Sequence, residues 1–292
     1  MGCAIWPIPD MSETSLLCVD RLSIRALQGR CTRTIVDSIS FDVDVERVAL
    51  VGESGSGKSL TARALMGLLG APLEVSAERL DFAGRDLRRL TPKQWAHVRG
   101  STMSLILQDP RHALNPVLTI GCQLDEALRL HGELSAAGRR ERIMEMLQAV
   151  GMPDPRRTLA AYAHQLSGGM GQRAMLAMML INGPRLLIAD EPSSALDAAL
   201  RGQVLDLILN LVETHRMGLL MISHDLPLVA GYCDRVLVMY RGQIVDRCAA
   251  TELAHSRHPY TRTLWSCQPS GRTYGTRLPV LDRNWQRPGD SP

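Results

Sequence analysis

One stretch narrows the possible folds more than any other feature: Val51-Gly52-Glu53-Ser54-Gly55-Ser56-Gly57-Lys58-Ser59. It satisfies G-x-x-x-x-G-K-[ST] in full. Its context is also right, because Arg47–Val51 reads as a short buried strand and Lys58–Leu69 has helical period. A strand that runs through a glycine-rich turn into a helix wraps consecutive backbone N–H groups, and the positive helix end, around an anion. Gly52, Gly55 and Gly57 allow the curl, while Glu53, Ser54 and Ser56 lie along the same cradle. Of the 33 lysines and arginines only Lys58 and Lys93 are lysine. A lysine kept at this position supplies a compact point charge to β/γ-phosphate oxygens, which the broad arginine fork does not. Ser59 follows with a hydroxyl suited to Mg²⁺.

The rest of the chain repeats the α/β rhythm that such a loop requires. Leu16–Arg25 and Thr34–Asp44 read as strands of a sheet. Leu186–Asp190, Leu219–Ser223, Val236–Tyr240 and Gln243–Asp246 are further strands, the last two around a tight Arg241-Gly242 turn. Leu200–His215 is a helix. Strands alternating with helices predict a mostly parallel sheet covered on both faces. Between about residues 110 and 170 helical segments, near Ile120–Leu130 and Arg139–Val150, replace strands, with breakers at Gly132, Pro153 and Pro155. From Ser266 onward the chain is rich in Arg, Pro and Gly and reads as an extended tail.

Leu186-Leu187-Ile188-Ala189-Asp190-Glu191 delivers two carboxylates at the C-terminal end of an apolar strand, where open α/β sheets bind ligands. Asp190 suits support of Mg²⁺, and Glu191 suits a base that polarises an attacking water. A second anion site is written at Leu166-Ser167-Gly168-Gly169-Met170-Gly171. A helix opening with three glycines gives up about 1 kcal/mol at each against alanine. Ser167 as N-cap, with Gly168 and Gly169 baring the first N–H groups, favours close approach of an anion.

Composition excludes several classes. The net charge of +3 gives no basic footprint for nucleic acid. The seven cysteines are scattered, odd in number and form no C-x-x-C pair, so neither a disulfide framework nor a zinc site is expected and a reducing compartment fits. Residues 1–14 have no basic start or long apolar stretch, so no secretory signal is read there, and Trp6 breaks the myristoylation pattern. No apolar run reaches the roughly 18 residues of a membrane span; the best is Met175 to Ile181.

Taken in order, GESGSGKS (Gly52–Ser59), Gln108 in LILQDP, LSGGM (Leu166–Met170), LLIADEP (Leu186–Pro192), SALD (Ser194–Asp197) and ISHD (Ile222–Asp225) resemble the nucleotide-binding subunit of an ATP-binding cassette (ABC) transporter. The resemblance covers about residues 15–265. It implies a P-loop NTPase cassette of α/β class, with a RecA-like core, an antiparallel β subdomain and a helical subdomain at about 110–170. Residues 1–14 are then an N-terminal extension and 266–292 a C-terminal tail. It implies ATP and Mg²⁺ as ligands. By the same resemblance Gln108 touches Mg²⁺ and the attacking water, and Ser167, Gly168 and Gly169 contact a γ-phosphate. Asp197 links two sites across a dimer, and His224 is a switch histidine on the γ-phosphate. The signature glycines then face a nucleotide held by a second cassette.

Gln108-Asp109-Pro110 through Leu114-Asn115-Pro116 and Thr119-Ile120-Gly121, with His258-Pro259-Tyr260-Thr261, looks like the dipeptide/oligopeptide/nickel importer branch. Both runs are taken to lie outside the catalytic core and to report lineage. That branch implies a second ATPase subunit, identical or homologous, and two integral-membrane permeases. A substrate-binding protein outside the membrane is an indirect partner, no nucleic acid takes part, and the location is the cytoplasmic face of a bacterial inner membrane. The alternative is a non-transport cassette acting on nucleic acid or ribosomes. Those relatives usually carry two cassettes or a long coiled-coil insertion, and neither is written here. Two departures stand out. Arg25–Thr34 holds no aromatic to stack on adenine, leaving the Arg33 guanidinium plane for that contact. Gly171 occupies a position that is usually arginine, and Cys267 alone in the tail predicts no iron–sulfur centre.

Overall fold

The computed structural model describes residues 15–29, 31–106, 113–194 and 198–268. Eleven strands and nine α-helices are laid out among them. In chain order the strands are β1 (Leu17–Gln28), β2 (Cys31–Val43), β3 (Arg47–Val51), β4 (Leu73–Ser76), β5 (Arg79–Phe82), β6 (Arg85–Asp86), β7 (Met103–Ile106), β8 (Leu186–Asp190), β9 (Gly218–Ser223), β10 (Arg235–Tyr240) and β11 (Gln243–Ala249). The helices are α1 (Lys58–Leu65), α2 (Pro92–Val98), α3 (Ile120–His131), α4 (Ala136–Ala149), α5 (Pro155–Ala160), α6 (Gly168–Leu180), α7 (Ala198–Thr214), α8 (Leu226–Tyr232) and α9 (Pro259–Ser266).

Two sheets organise the chain. The larger has the order β11-β10-β3-β9-β8-β7, parallel throughout except for the β10–β11 hairpin. The smaller is antiparallel, with the path β2-β1-β5-β6 and β4 paired on β1. The expected α/β class, with a parallel core sheet and a separate antiparallel sheet, is what the chain adopts.

Strand side chains alternate between two cores, which is why the parallel strands are apolar along most of their length. Val48, Leu50, Leu186, Ile188, Leu220, Ile222, Leu237 and Met239 face α1, α2 and the antiparallel sheet. Their neighbours Ala49, Val51, Leu187, Ala189, Leu219, Met221, Val236 and Val238 face the helices from α3 onward. A one-residue slip of any strand would exchange the two sets.

The helix starts follow local chemistry. Thr91 and Gln94 form a capping box ahead of α2, and Thr119, Ser135, Asp154, Ser167 and Asp225 each cap the helix that follows. Pro155, expected as a breaker, is instead the first residue of α5 behind the Asp154 cap, because proline costs nothing where the N–H has no intrahelical partner. The helix after the loop stops at Leu65, not Leu69: Gly67 turns left-handed at φ 59°, with the Trp95 ring pressed against it. The helical block is tied by reciprocal arginines. Arg173 of α6 donates to the Val150 and Gly151 carbonyls at the end of α4, and Arg142 of α4 donates to Ile181 O at the end of α6. No described helix is long and apolar enough to cross a membrane.

Candidate active site

The neighbouring strands β3, β9 and β8 end on one edge of the parallel sheet, and each delivers part of the site. From β3 comes the Gly52–Ser59 loop. Gly52 (φ 150°) abuts the end of β10 so closely that a Cβ there would sit 2.1 Å from Met239 O. Gly57 (φ 108°) is held between Val36 and Met239. Gly55 (φ 80°) has open space above it and is required by its backbone conformation alone. The predicted Arg241-Gly242 turn lies against the loop, with Gly242 N–H donating to Ser56 O at 3.0 Å.

Lys58 folds back under this loop. Its Nζ donates to Gly52 O and Glu53 O, both at 2.8 Å, and to Ser56 Oγ at 3.3 Å. Burial pushes the ammonium below the ordinary lysine value, against the opposing pull of Glu191, Asp190 and Glu53. Ser59 Oγ donates to Asp190 Oδ1 at 3.0 Å, so the loop and the acid from β8 meet directly. Burial raises the Asp190 carboxyl, with the Ser59 hydrogen bond opposing. A carboxylate held in this desolvated position beside a hydroxyl is an oxygen donor set suited to a hard divalent cation.

Glu191 is one of the few non-glycine residues with positive φ, at 49°. Its N–H donates to Ile222 O on the adjacent strand, and its carbonyl accepts from both the N–H and Oγ of Ser194. These bonds hold a backbone conformation that disfavours a side chain. The carboxylate meets His224, at the end of β9, with Oε1 2.7 Å from Nδ1. His224 is largely exposed and Glu191 mostly covered. The predicted pair of acids therefore splits, Asp190 toward the loop serine and Glu191 toward the histidine.

Ser167 caps α6, its Oγ accepting from Met170 N. A Cβ at Gly168 or at Gly171 would meet nothing within 4 Å, so the packing of this chain requires neither glycine. Gln108 and Asp197, both expected here, lie outside the described residues. Arg33 is exposed on β2, paired in register with Ala26 of β1.

Two contacts were not read from the sequence. Gln172, buried in α6, donates from Nε2 to Pro192 O at 2.7 Å and so ties the signature helix to the strand end carrying Glu191. The second corrects an expectation. The sequence places His258–Thr261 outside the catalytic core, yet the Tyr260 hydroxyl accepts the Glu53 N–H of the phosphate loop at 3.2 Å. No local signal marks a contact across 207 positions. A buried-type tyrosine behind a proline helix start was the one hint available.

Comparison with known proteins agrees with this geometry. Residues 36–194 match the ABC transporter family model. The chain is 44% identical over 269 residues to the dipeptide transport ATP-binding protein DppD of Escherichia coli (strain K12), covering 91% of this chain and 82% of that one. It is 40% identical over 285 residues to the glutathione import ATP-binding protein GsiA of Shigella flexneri, across 93% of this chain and 46% of that one. In fold it is similar to the dimeric structure of MJ0796, a bacterial ABC transporter cassette, with a TM-score of 0.70, 22% identity, and coverage of 80% of this chain and 98% of that one.

Proposed function

We propose, from the premise that this chain belongs to the ABC transporter family of ATP-binding, ATP-hydrolysing subunits, that it powers uptake of small peptides through a membrane permease. The observation that carries the substrate class is the 44% identity to a dipeptide transport subunit over 91% of the chain. Of the cargoes expected from the sequence, peptide or nickel and other metal chelates, the names of the relatives favour peptide. In this reading two cassettes, identical or homologous, close over ATP beneath two permease subunits, and the cargo never touches this chain. Its place is the cytoplasmic face of the membrane, as a peripheral subunit. The cassette proper spans about 15–265, with a helical subdomain at about 110–170 and a tail from 266.

Within the site, Lys58 and the N–H groups of Gly52–Ser59 bind and orient the phosphates. Ser59 and Asp190, with Gln108, are the residues that hold Mg²⁺, which when bound neutralises phosphate charge. Glu191 accepts a proton from the attacking water, and His224 fixes the rotamer of that carboxylate through the 2.7 Å contact. Ser167, Gly168 and Gly169 meet the nucleotide of the opposite cassette. Asp197 lies at the junction between the two sites, and Arg33 stacks on the base.

Purification of the tagged chain from its native membranes tests the assignment. Integral-membrane permease subunits and a second cassette are expected to come with it. Recovery with ribosomal or nucleic-acid components alone would overturn the importer reading. In cells lacking the chain, uptake of a labelled dipeptide should be lost, and the Lys58→Ala gene should not restore it.

A further inference from the structure

The C-terminal His258-Pro259-Tyr260-Thr261 run is fixed to the core at two points, and one of them is the phosphate loop. Tyr260 is 1% exposed although it lies near the end of the described residues. Its ring packs on Tyr240, at 4.5 Å between centroids. Tyr240 directly follows Met239, whose carbonyl abuts Gly52. The Tyr260 hydroxyl accepts the N–H of Glu53.

That N–H and the Gly52 carbonyl belong to one peptide group, which is planar and turns as a unit. Lys58 Nζ grips the carbonyl end at 2.8 Å, and Tyr260 Oη holds the N–H end at 3.2 Å. Rotation of the peptide would break both bonds together. The first peptide of the loop, and through it the seat of the Lys58 ammonium, is therefore set from outside the loop.

The neighbouring residues hold α9 in place for this contact. Asp246 of β11 accepts from Ser256 Oγ and from Thr261 Oγ1 through the same carboxylate oxygen, each at 2.6 Å. Ser256 Oγ also accepts the His258 N–H at 3.1 Å. Thr261 is fully buried, so its hydroxyl has this carboxylate in place of water. Pro259 starts α9 without losing an intrahelical bond. Serine, proline, tyrosine and threonine thus divide one task, which is to latch a short helix with its tyrosine on the loop.

We propose that Tyr260 is a positioning residue for nucleotide binding, holding the Gly52–Glu53 peptide of the phosphate loop, and that Asp246, Ser256 and Thr261 form the latch that keeps it there. The run expected to record only ancestry then acts on the affinity of the site.

The inference rests on nucleotide binding at this loop, and the experiment separates the two. ATP affinity of the full chain is measured by titration with a fluorescent ATP analogue, alongside thermal unfolding without nucleotide. Lys58→Ala is expected to abolish binding; retained binding would overturn the site itself. Tyr260→Phe keeps the ring and removes one hydrogen bond, and is expected to weaken affinity about three- to tenfold with the unfolding temperature little changed. In steady-state hydrolysis the same change should raise KM more than it lowers kcat. Unaltered affinity in Tyr260→Phe, or a fall in unfolding temperature with no loss of affinity, would overturn the positioning role. Thr261→Val should weaken binding in the native background but add nothing in the Tyr260→Phe background. Additive losses would sever the latch from the loop.

Discussion

Asp190 and Glu191 are adjacent in sequence and identical in charge, yet their surroundings divide them. Asp190 is nine-tenths buried, accepts from the Ser59 hydroxyl, and has its carboxyl raised by desolvation. A raised value in the folded chain means that the protonated form favours folding. This contribution is complete below the unfolded value and is lost as pH rises through the folded one. The ionised form of Asp190 is therefore the one that opposes folding. Glu191 is turned the other way by its positive φ and bonds to the exposed His224. This contact with an exposed histidine supports the proposed role of Glu191 as base. Glu191→Gln keeps shape and hydrogen-bonding reach but removes the basic oxygen. Hydrolysis should fall at least about 100-fold while ATP binding stays within about twofold, as read by phosphate release and by nucleotide titration. Unchanged turnover in the purified transporter would remove Glu191 from the role of base.

Helix α6 ties its own N-terminal end to the strand end that carries Glu191. Its N-terminus carries Ser167–Gly169, Gln172 donates to the carbonyl of Pro192 beside Glu191, and Arg173 caps the end of α4. Gly171 has no such task in this chain, since a Cβ there would meet nothing within 4 Å. Gly171→Ala should therefore stabilise the chain by about 0.5–1 kcal/mol through helix propensity and lost freedom of the unfolded chain, seen as a higher midpoint in thermal or urea unfolding. A destabilised variant would show that the helix relies on a bend there. These elements also mark what the sequence made legible. Apart from β7, which the sequence reading leaves out, the strands of the parallel sheet, the loop, the two acids and the Ser167 cap announce themselves through local rules: apolar runs, glycine spacing and capping chemistry. The strands β4 to β6 and helix α2 escaped notice because short, half-exposed segments such as Leu73–Ser76 carry no periodicity strong enough to read. Pro155 was misjudged because proline both ends and begins helices. The Tyr260 and Gln172 contacts were invisible for a different reason: they join parts of the chain that only the sheet order brings together.

At the scale of the whole molecule, the proposed function makes each site depend on a second chain. One chain supplies the loop, the acids and the histidine on a single sheet edge, while the hydrogen bonds of Ser167 run within its own helix. A Cβ at Gly168 would meet no described residue within 4 Å, which fits the proposal that this helix end receives an anion brought by another molecule. A two-fold pair, each loop facing the other chain's signature, closes both sites at once. This arrangement can be tested with two inactive chains. Lys58→Ala removes the loop charge and leaves the signature intact. Ser167→Arg fills the exposed signature with a bulky cation, at the cost of a helix cap worth about 1 kcal/mol, and leaves the loop intact. Each variant alone should hydrolyse ATP at background rate. Mixed in equal amounts with random pairing, about half of the dimers hold one chain of each kind, and one of their two sites is whole. Hydrolysis should then recover to about a quarter of the native rate and rise more steeply than linearly with protein concentration. Recovery would require that the signature of one chain serves the loop of an identical partner. No recovery, with hydrolysis restored only when a homologous second cassette is added, would assign the open signature to a heterodimer.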